Sequence, residues 1–210
     1  MVEFFFDCSS PWTWLGFRNM QRTSQATGIS VRWRPFLLGA VFNTVNPSVY
    51  EFRERGVPAK KAYVKKDLAD WARADGIVIL YPPTVFPVNT VKAMRGCILL
   101  DSFGLLEPFA SAAFKAYWTD DQDIGDDAVL KSLCEGIGFD PVVFLDGIES
   151  RSVKQQLRAN TDELVARGGF GSPTIFVGDD MYFGNDRMPL VVRALENHPK
   201  DRAATQGATG

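Results

Sequence analysis

The sequence predicts an α/β fold in which a small sheet, drawn from both ends of the chain, is split by a long helical insertion. Three observations carry this expectation. An apolar run from Val2 to Phe6 stops at Asp7, then passes through Cys8-Ser9-Ser10-Pro11 into an apolar-periodic segment (Trp12, Trp14, Leu15, Phe17, Met20), as a strand, turn and helix would. Near the other end, Gly171-Ser172-Pro173 leads into Ile175–Val177 and Met181–Phe183, which flank the hairpin signal Gly178-Asp179-Asp180. Between them, from roughly residue 40 to 148, the periodicity is helical.

The first strand is expected over about 2–7. The first helix follows over about 11–27, with Pro11 in its first turn, where a missing N–H costs nothing, and Gly28 at its end. A second strand, Ile29 to Phe36, is closed by Pro35. In the insertion, Tyr63, Asp67, Leu68 and Trp71 share a helical face, Val91 to Leu106 reads as one long helix, and Ala110 to Trp118 as another. Asp126 or Asp127 caps Ala128 to Gly136, Asp140-Pro141 starts a short helix, and a last one runs from about Glu149 to Arg167 before Gly168-Gly169. After the hairpin, Asn185 or Asp186 caps a helix through Leu190, Val191, Val192 and Leu195. The division is therefore residues 1–39 with 149–198 for the sheet domain, 40–148 for the helical insertion, and 199–210 for a tail expected to be disordered. A strand-turn-helix with a small polar residue at the helix start, joined to a distant small-residue–Pro before a hairpin, resembles the thioredoxin-like fold. In that fold the proline is cis and its preceding residue faces the helix start, which makes Pro173 a candidate cis proline.

Composition narrows the function. At 210 residues and 46% hydrophobic, the chain can bury a full core. Lys+Arg of 23 against Asp+Glu of 25 gives no electrostatic case for nucleic acid or membrane partners. No basic segment precedes the first strand, so no secretory signal is expected. Cys8, Cys97 and Cys134 have neither C-x-x-C nor metal-ligand spacing, which points to free thiols, a cytoplasmic setting and no metal site. Cys8 ends the strand and reads as packing, and the lone His198 sits at the end of the last helix, against a histidine-dependent triad. Ser10 has two readings: an N-cap closing the turn, or a donor at a helix N-terminus, where free N–H groups and the macrodipole favour an anion such as a thiolate.

Taken together, Asp7-Cys8-Ser9-Ser10-Pro11-Trp12-Thr13-Trp14-Leu15-Gly16, Asn46-Pro47, Lys60-Lys61-Ala62-Tyr63 with Asp67, Phe86-Pro87-Val88-Asn89-Thr90, Gly171-Ser172-Pro173-Thr174 and Phe183-Gly184-Asn185-Asp186-Arg187-Met188 resemble kappa-class glutathione transferases and bacterial 2-hydroxychromene-2-carboxylate isomerases. In that family a Ser-Pro pair replaces the redox Cys-x-x-Cys. Trp12 stands where many relatives carry Tyr or Phe. The resemblance implies glutathione as cofactor, with Ser10 holding its sulfur as thiolate and the Ser172 backbone, before a cis Pro173, pairing with its cysteinyl part. Asn185 and Asp186, assisted by Arg187, would take its γ-glutamyl end. Asn46 and Lys60, or the neighbouring Lys61, would contact glutathione or an anionic substrate.

Other roles for these residues stay open. Asp186 serves equally as a helix cap, Lys60 and Lys61 belong to a basic run with Lys65 and Lys66 that suits a solvated face, and Asn89 reads as the cap of the helix from Thr90. The implied reaction is glutathione-dependent isomerisation of a hydroxychromene carboxylate, or else transfer of glutathione to another electrophile. The aromatics expected to line the pocket are Phe5, Trp12, Trp14, Phe36 and Phe86, with Lys61 as a candidate cation. A thiol–disulfide oxidoreductase needs two cysteines at the helix start, and this chain has none there. A non-catalytic glutathione- or peptide-binding module remains the reading of another class. The expected partners are a small aromatic carboxylate or electrophile and a second copy of the chain as a homodimer.

Overall fold

A computed structural model describes residues 1–197; the expected tail and His198 lie outside the described residues. In chain order the elements are β1 Val2–Phe6, α1 Pro11–Thr27, β2 Val31–Pro35, α2 Leu38–Thr44, α3 Ser48–Arg55, α4 Pro58–Ala74, α5 Val91–Asp101, α6 Leu106–Trp118, α7 Asp127–Gly136, α8 Pro141–Ile148, α9 Arg151–Ala166, β3 Thr174–Val177, β4 Asp180–Phe183, a 3₁₀ turn Asn185–Arg187 and α10 Met188–Asn197. The sheet order is β2-β1-β3-β4. β1 pairs parallel with β2 (Phe4 opposite Trp33) and antiparallel with β3 (Phe4 opposite Ile175), and β3 returns antiparallel as β4. The thioredoxin-like fold expected from the chain ends is the fold observed.

β1 is central, and its uninterrupted apolar sequence suits a strand covered on both faces. Alternation divides its side chains. Val2, Phe4 and Phe6 enter a large core with Phe17 and Met20 of α1, Trp33 of β2 and Phe109 and Phe114 of α6. Phe5 enters a smaller core with Phe36, Leu38, Val41, Leu164 and Phe176, under α2 and α9. Phe17 and Trp33 meet at 4.3 Å between ring centroids, and Phe17 and Phe114 at 5.4 Å. Glu3, on the Phe5 face, ties the sheet to α9 and its C-terminal cap: its carboxylate takes Arg34 Nη1 at 3.0 Å and Arg167 Nη1 at 2.6 Å, and Arg34 also pairs with Glu163.

Several boundaries differ from expectation for identifiable reasons. The helix expected from Val91 to Leu106 ends at Asp101. Gly104, at φ 69°, takes the left-handed conformation, and the Leu105 N–H closes back on the Leu100 carbonyl at 2.9 Å. α6 therefore begins at Leu106, four residues before its expected start. β2 is shorter than 29–36, and the short helices α2 and α3 carry too few turns for periodicity to reveal them. Neither Asn185 nor Asp186 precedes the last helix as a cap. Both lie inside the 3₁₀ turn that follows Gly184, whose φ of 107° turns the chain.

Gly16 of α1 faces the 171–173 loop at close range: a Cβ there would sit 2.8 Å from Pro173 Cγ. A pyrrolidine ring cannot swing aside as a flexible side-chain tip can. Gly16→Ala gains up to about 1 kcal/mol of helix propensity, yet overpacking at this contact should cost about 1–3 kcal/mol. Urea denaturation should accordingly show a lower midpoint at unchanged slope. An equal or higher midpoint would mean that the loop yields freely.

Candidate functional site

Ser10 is the N-cap of α1, with extended backbone (φ −113°, ψ 123°) and Pro11 as the first helical residue. Its Oγ accepts from the Thr13 N–H at 3.2 Å and donates to the Ser172 carbonyl at 3.4 Å. The cap and the facing group expected from the sequence are thus the same residue. The Ser172–Pro173 bond is cis. Beneath Ser10 lies a buried hydroxyl knot, in which Ser172 Oγ accepts from Thr13 Oγ1 at 2.7 Å and from the Asp7 N–H at 3.2 Å. Two donors at this corner, the Trp12 N–H and the Ser172 N–H, meet no acceptor among the described residues.

These groups border a cavity of about 220 Å³, whose lining includes Ser9, Ser10, Trp12, Leu38, Phe42, Asn46, Tyr81, Phe86, Ser172 and Phe183. Asn46 stands in the wall with its Nδ2 on the Phe170 carbonyl at 3.1 Å. A second cavity, of about 260 Å³, shares Ser9, Leu38, Phe42 and Phe86 with the first and reaches down to Asp7, Asn89 and Thr90. Asn89 Oδ1 accepts from the Val91 N–H at 3.1 Å, but the helix starts at Val91 with Thr90 at the cap position, so Asn89 closes the turn one residue before the cap expected of it. Of the aromatics expected to line the pocket, Trp12 and Phe86 do. Phe5, Phe36 and Trp14 are core residues instead, the last stacked on Phe114.

The charged candidates lie elsewhere. Lys60 is exposed at the start of α4, beside a surface groove formed with Ser48, Glu51 and Phe52. Lys61 donates from Nζ to the Glu54 carbonyl at 3.3 Å. Neither borders the Ser10 cavity, and no Lys or Arg appears in the lining of either cavity. Asn185, Asp186 and Arg187 sit in the 3₁₀ turn, which packs against α1 and is tied to the cis-proline loop by Gly184 N–H to the Pro173 carbonyl at 3.1 Å. Arg187 Nη1 pairs with Asp186 Oδ2 at 2.5 Å, and the buried Asn185 amide leaves Nδ2 without a partner. Sequence reading missed Tyr81, Phe42 and Phe183 in the wall; Tyr81-Pro82 and Phe86-Pro87, both cis, were the only local signal.

Cys8, Cys97 and Cys134 stand outside the lining of both cavities. All three are free and buried. Burial, the neighbouring Cys97 and Asp7 push the Cys8 thiol well up, and burial with Glu135 pushes Cys134 up to about 12. Among the described residues no group of His, Cys, Asp and Glu could hold a metal ion, and no helix is long and apolar enough to cross a membrane.

Comparisons with known proteins agree with the fold. The profile of the DSBA-like thioredoxin domain matches residues 1–196. The chain is 27% identical over 202 residues to a 2-hydroxychromene-2-carboxylate isomerase of Pseudomonas sp. (strain C18), covering 95% of this chain and 92% of that one. It is 27% identical over 208 residues to glutathione S-transferase kappa 1 of Rattus norvegicus, covering 93% and 90%. A solved structure of a 2-hydroxychromene-2-carboxylate isomerase superposes with a TM-score of 0.81 at 26% identity, covering 99% of this chain and 97% of that one.

Asp7 is the ionisable group under the site, 1% exposed. Burial raises its pKa above the ordinary carboxylate value, against the lowering effect of hydrogen bonds from the Leu38 and Ser9 N–H groups and the Thr90 side chain. The folded chain thus holds this proton more firmly than the unfolded chain. The stability it contributes is complete below the unfolded pKa of about 3.9 and is lost as pH rises through the raised folded value. Asp7→Asn carries a constant offset, since an amide has one acceptor oxygen where Ser9 and Leu38 offer two N–H groups. Its stability relative to the wild type should rise with pH across that window and then level off. Parallel urea-stability curves from about pH 3.5 to about pH 7 would contradict the raised value.

Proposed function

We propose, on the premise that this chain belongs to the DSBA-like thioredoxin family, that it is a glutathione-dependent enzyme acting on flat aromatic electrophiles, with isomerisation of a 2-hydroxychromene-2-carboxylate as its reaction. The observation that carries the reading is the Ser10 hydroxyl at the N-terminus of α1, opposite the Ser172 carbonyl, at the edge of a largely apolar cavity. The donors present fit glutathione: the Trp12 and Ser172 N–H groups are uncommitted, and the orphaned Asn185 Nδ2 lies in the turn bound to the cis-proline loop. When bound, glutathione supplies a sulfur nucleophile that can add to a conjugated carbon and leave it again, making a double bond temporarily rotatable.

The chain's own residues would perform three tasks. Ser10 donates to the sulfur and, with the positive end of α1, favours the thiolate over the thiol. The Ser172 backbone aligns an extended peptide as an added strand would. Asp186 and Asn185 in the 3₁₀ turn, with Arg187 beside them, hold the charged γ-glutamyl end. Trp12 and Phe86 offer flat faces to an aromatic ring, and Leu38, Phe42, Val49, Val64 and Leu68 of the α2–α4 side line the cavity with apolar groups.

A second reading is a kappa-like transferase of neutral electrophiles. The lack of Lys and Arg in the lining favours it, because a carboxylated substrate would find no cation there unless Lys60 or Lys61 were drawn in. Both activities are to be measured on one preparation at saturating glutathione. Turnover of the hydroxychromene carboxylate supports the isomerase, and conjugation of a chlorodinitrobenzene without isomerisation moves the assignment to the transferase. Under the isomerase reading, neutralising the responsible lysine should raise KM for the carboxylate and leave the neutral electrophile unaffected.

Ser10→Ala should lower either turnover about ten- to a hundredfold, since a hydrogen bond to a charged group contributes about 1.5–3 kcal/mol. In the wild type, bound glutathione should show thiolate absorbance well below the pKa of the free thiol, and the variant should lose it. A Ser10→Ala protein with wild-type turnover and normal melting would remove Ser10 from the mechanism.

A further inference from the structure

We infer that Tyr81 is the acceptor-side catalytic residue: its phenol donates a hydrogen bond to the electrophile oxygen that gains charge as the sulfur–carbon bond forms. This rests on the glutathione reading above and extends it from the nucleophile to the electrophile. Negative charge developing on the electrophile needs a donor in place beforehand, and no Lys or Arg lines either cavity. The donor must therefore be neutral.

Elimination among the hydroxyl and amide side chains in the wall leads to Tyr81; the other neutral side-chain donor there, the Trp12 indole N–H, is a weaker acid than a phenol. Asn46 is engaged at both ends, its Nδ2 on the Phe170 carbonyl and its Oδ1 accepting from Ser48 Oγ at 2.8 Å. Ser172 Oγ is held in the knot with Thr13 and Asp7. Ser10 faces the sulfur position. The Ser9 hydroxyl is hydrogen-bonded to the Asp7 carboxyl; the Tyr81 hydroxyl meets no hydrogen-bond partner among the described residues. A phenol is also more acidic than a serine hydroxyl and the better donor.

Packing also holds Tyr81 in place. Its ring stacks on Trp118 (6.3 Å between centroids, 21° between planes) and meets Phe86 edge-on at 5.7 Å. The Trp118 indole N–H in turn donates to the Cys8 carbonyl at 2.9 Å, two residues before Ser10. One rigid aromatic thus couples Tyr81 to the turn that carries Ser10. A ring fixed in this way loses little freedom when it engages a ligand.

The electrons balance without an added reagent. As the sulfur–carbon bond forms at the conjugated carbon, the double-bond electrons move toward the conjugated oxygen, and Tyr81 O–H donates to it. For an isomerisation, rotation follows about the bond that has become single. The electron pair then returns, the sulfur–carbon bond breaks, and the phenol keeps its proton.

The test uses the full chain without glutathione, with 4-nitrophenolate as a flat oxyanion probe whose absorption band shifts when its oxygen accepts a hydrogen bond. The wild type and Ser9→Ala should bind it equally, and Tyr81→Phe should bind it about ten- to a hundredfold more weakly and without the band shift. With glutathione present, Tyr81→Phe should keep the thiolate absorbance while its turnover of an α,β-unsaturated ketone falls by a similar factor. Equal probe affinity in the wild type and Tyr81→Phe, no probe binding by the wild type, or a loss confined to Ser9→Ala each overturns the assignment. Absence of the thiolate band in the wild type overturns the glutathione reading instead, and leaves the probe comparison to stand by itself.

Discussion

The site depends on one buried hydroxyl, that of Ser172. It accepts from the Asp7 amide and from Thr13 Oγ1, and so fastens the cis-proline loop to both sides of the turn that presents Ser10. With Asp7 and Thr13 themselves almost fully buried, none of these groups can be satisfied by bulk water, and loss of one partner leaves the others unpaired at a cost of about 1–3 kcal/mol each. The Asp7 carboxylate extends the knot to the Leu38 N–H at the start of α2 and to the Ser9 N–H. Residues far apart in sequence are thereby held around one serine.

Around this knot the sheet supplies rigidity. β1 is packed on both faces by aromatic rings, and the large core continues without interruption from the strands into α5, α6, α7 and α8. The segment between β2 and β3 therefore shares the core of the sheet. That continuity places Trp118 of α6 against the Cys8 carbonyl, and with it Tyr81 and Phe86 in the cavity wall beside Ser10.

The electrostatics of the site are those of a cavity without lining cations beside a helix N-terminus, over the buried Asp7. The basic side chains nearby are spent on structure or lie on the surface: Arg34 and Arg167 on Glu3 and Glu163, Arg187 on Asp186, Lys61 on the Glu54 carbonyl. What this corner presents is a set of oriented N–H and O–H dipoles, which carry no desolvated counter-charge of their own.

Local sequence determined what depends on a few neighbouring residues: Ser10 as the cap of a helix opened by Pro11, Gly28 as its left-handed end, Asp126 and Asp140 as caps, and the hairpin around Gly178-Asp179. Each is decided by the conformational preference or hydrogen-bonding reach of the residue itself. Tertiary structure decided that Phe5 and Phe36 turn into the smaller core while Tyr81 lines the cavity that Ser10 borders. It also placed Lys60 and Lys61 away from Ser10 and put Asn185 and Asp186 inside a 3₁₀ turn. The physical reason is that periodicity tells which side of a helix or strand is apolar, but not which other segment covers it. That choice belongs to the packing of β1 against distant segments, such as Val177 opposite Val2, and here the Ser172 knot and the Trp118 indole fix it.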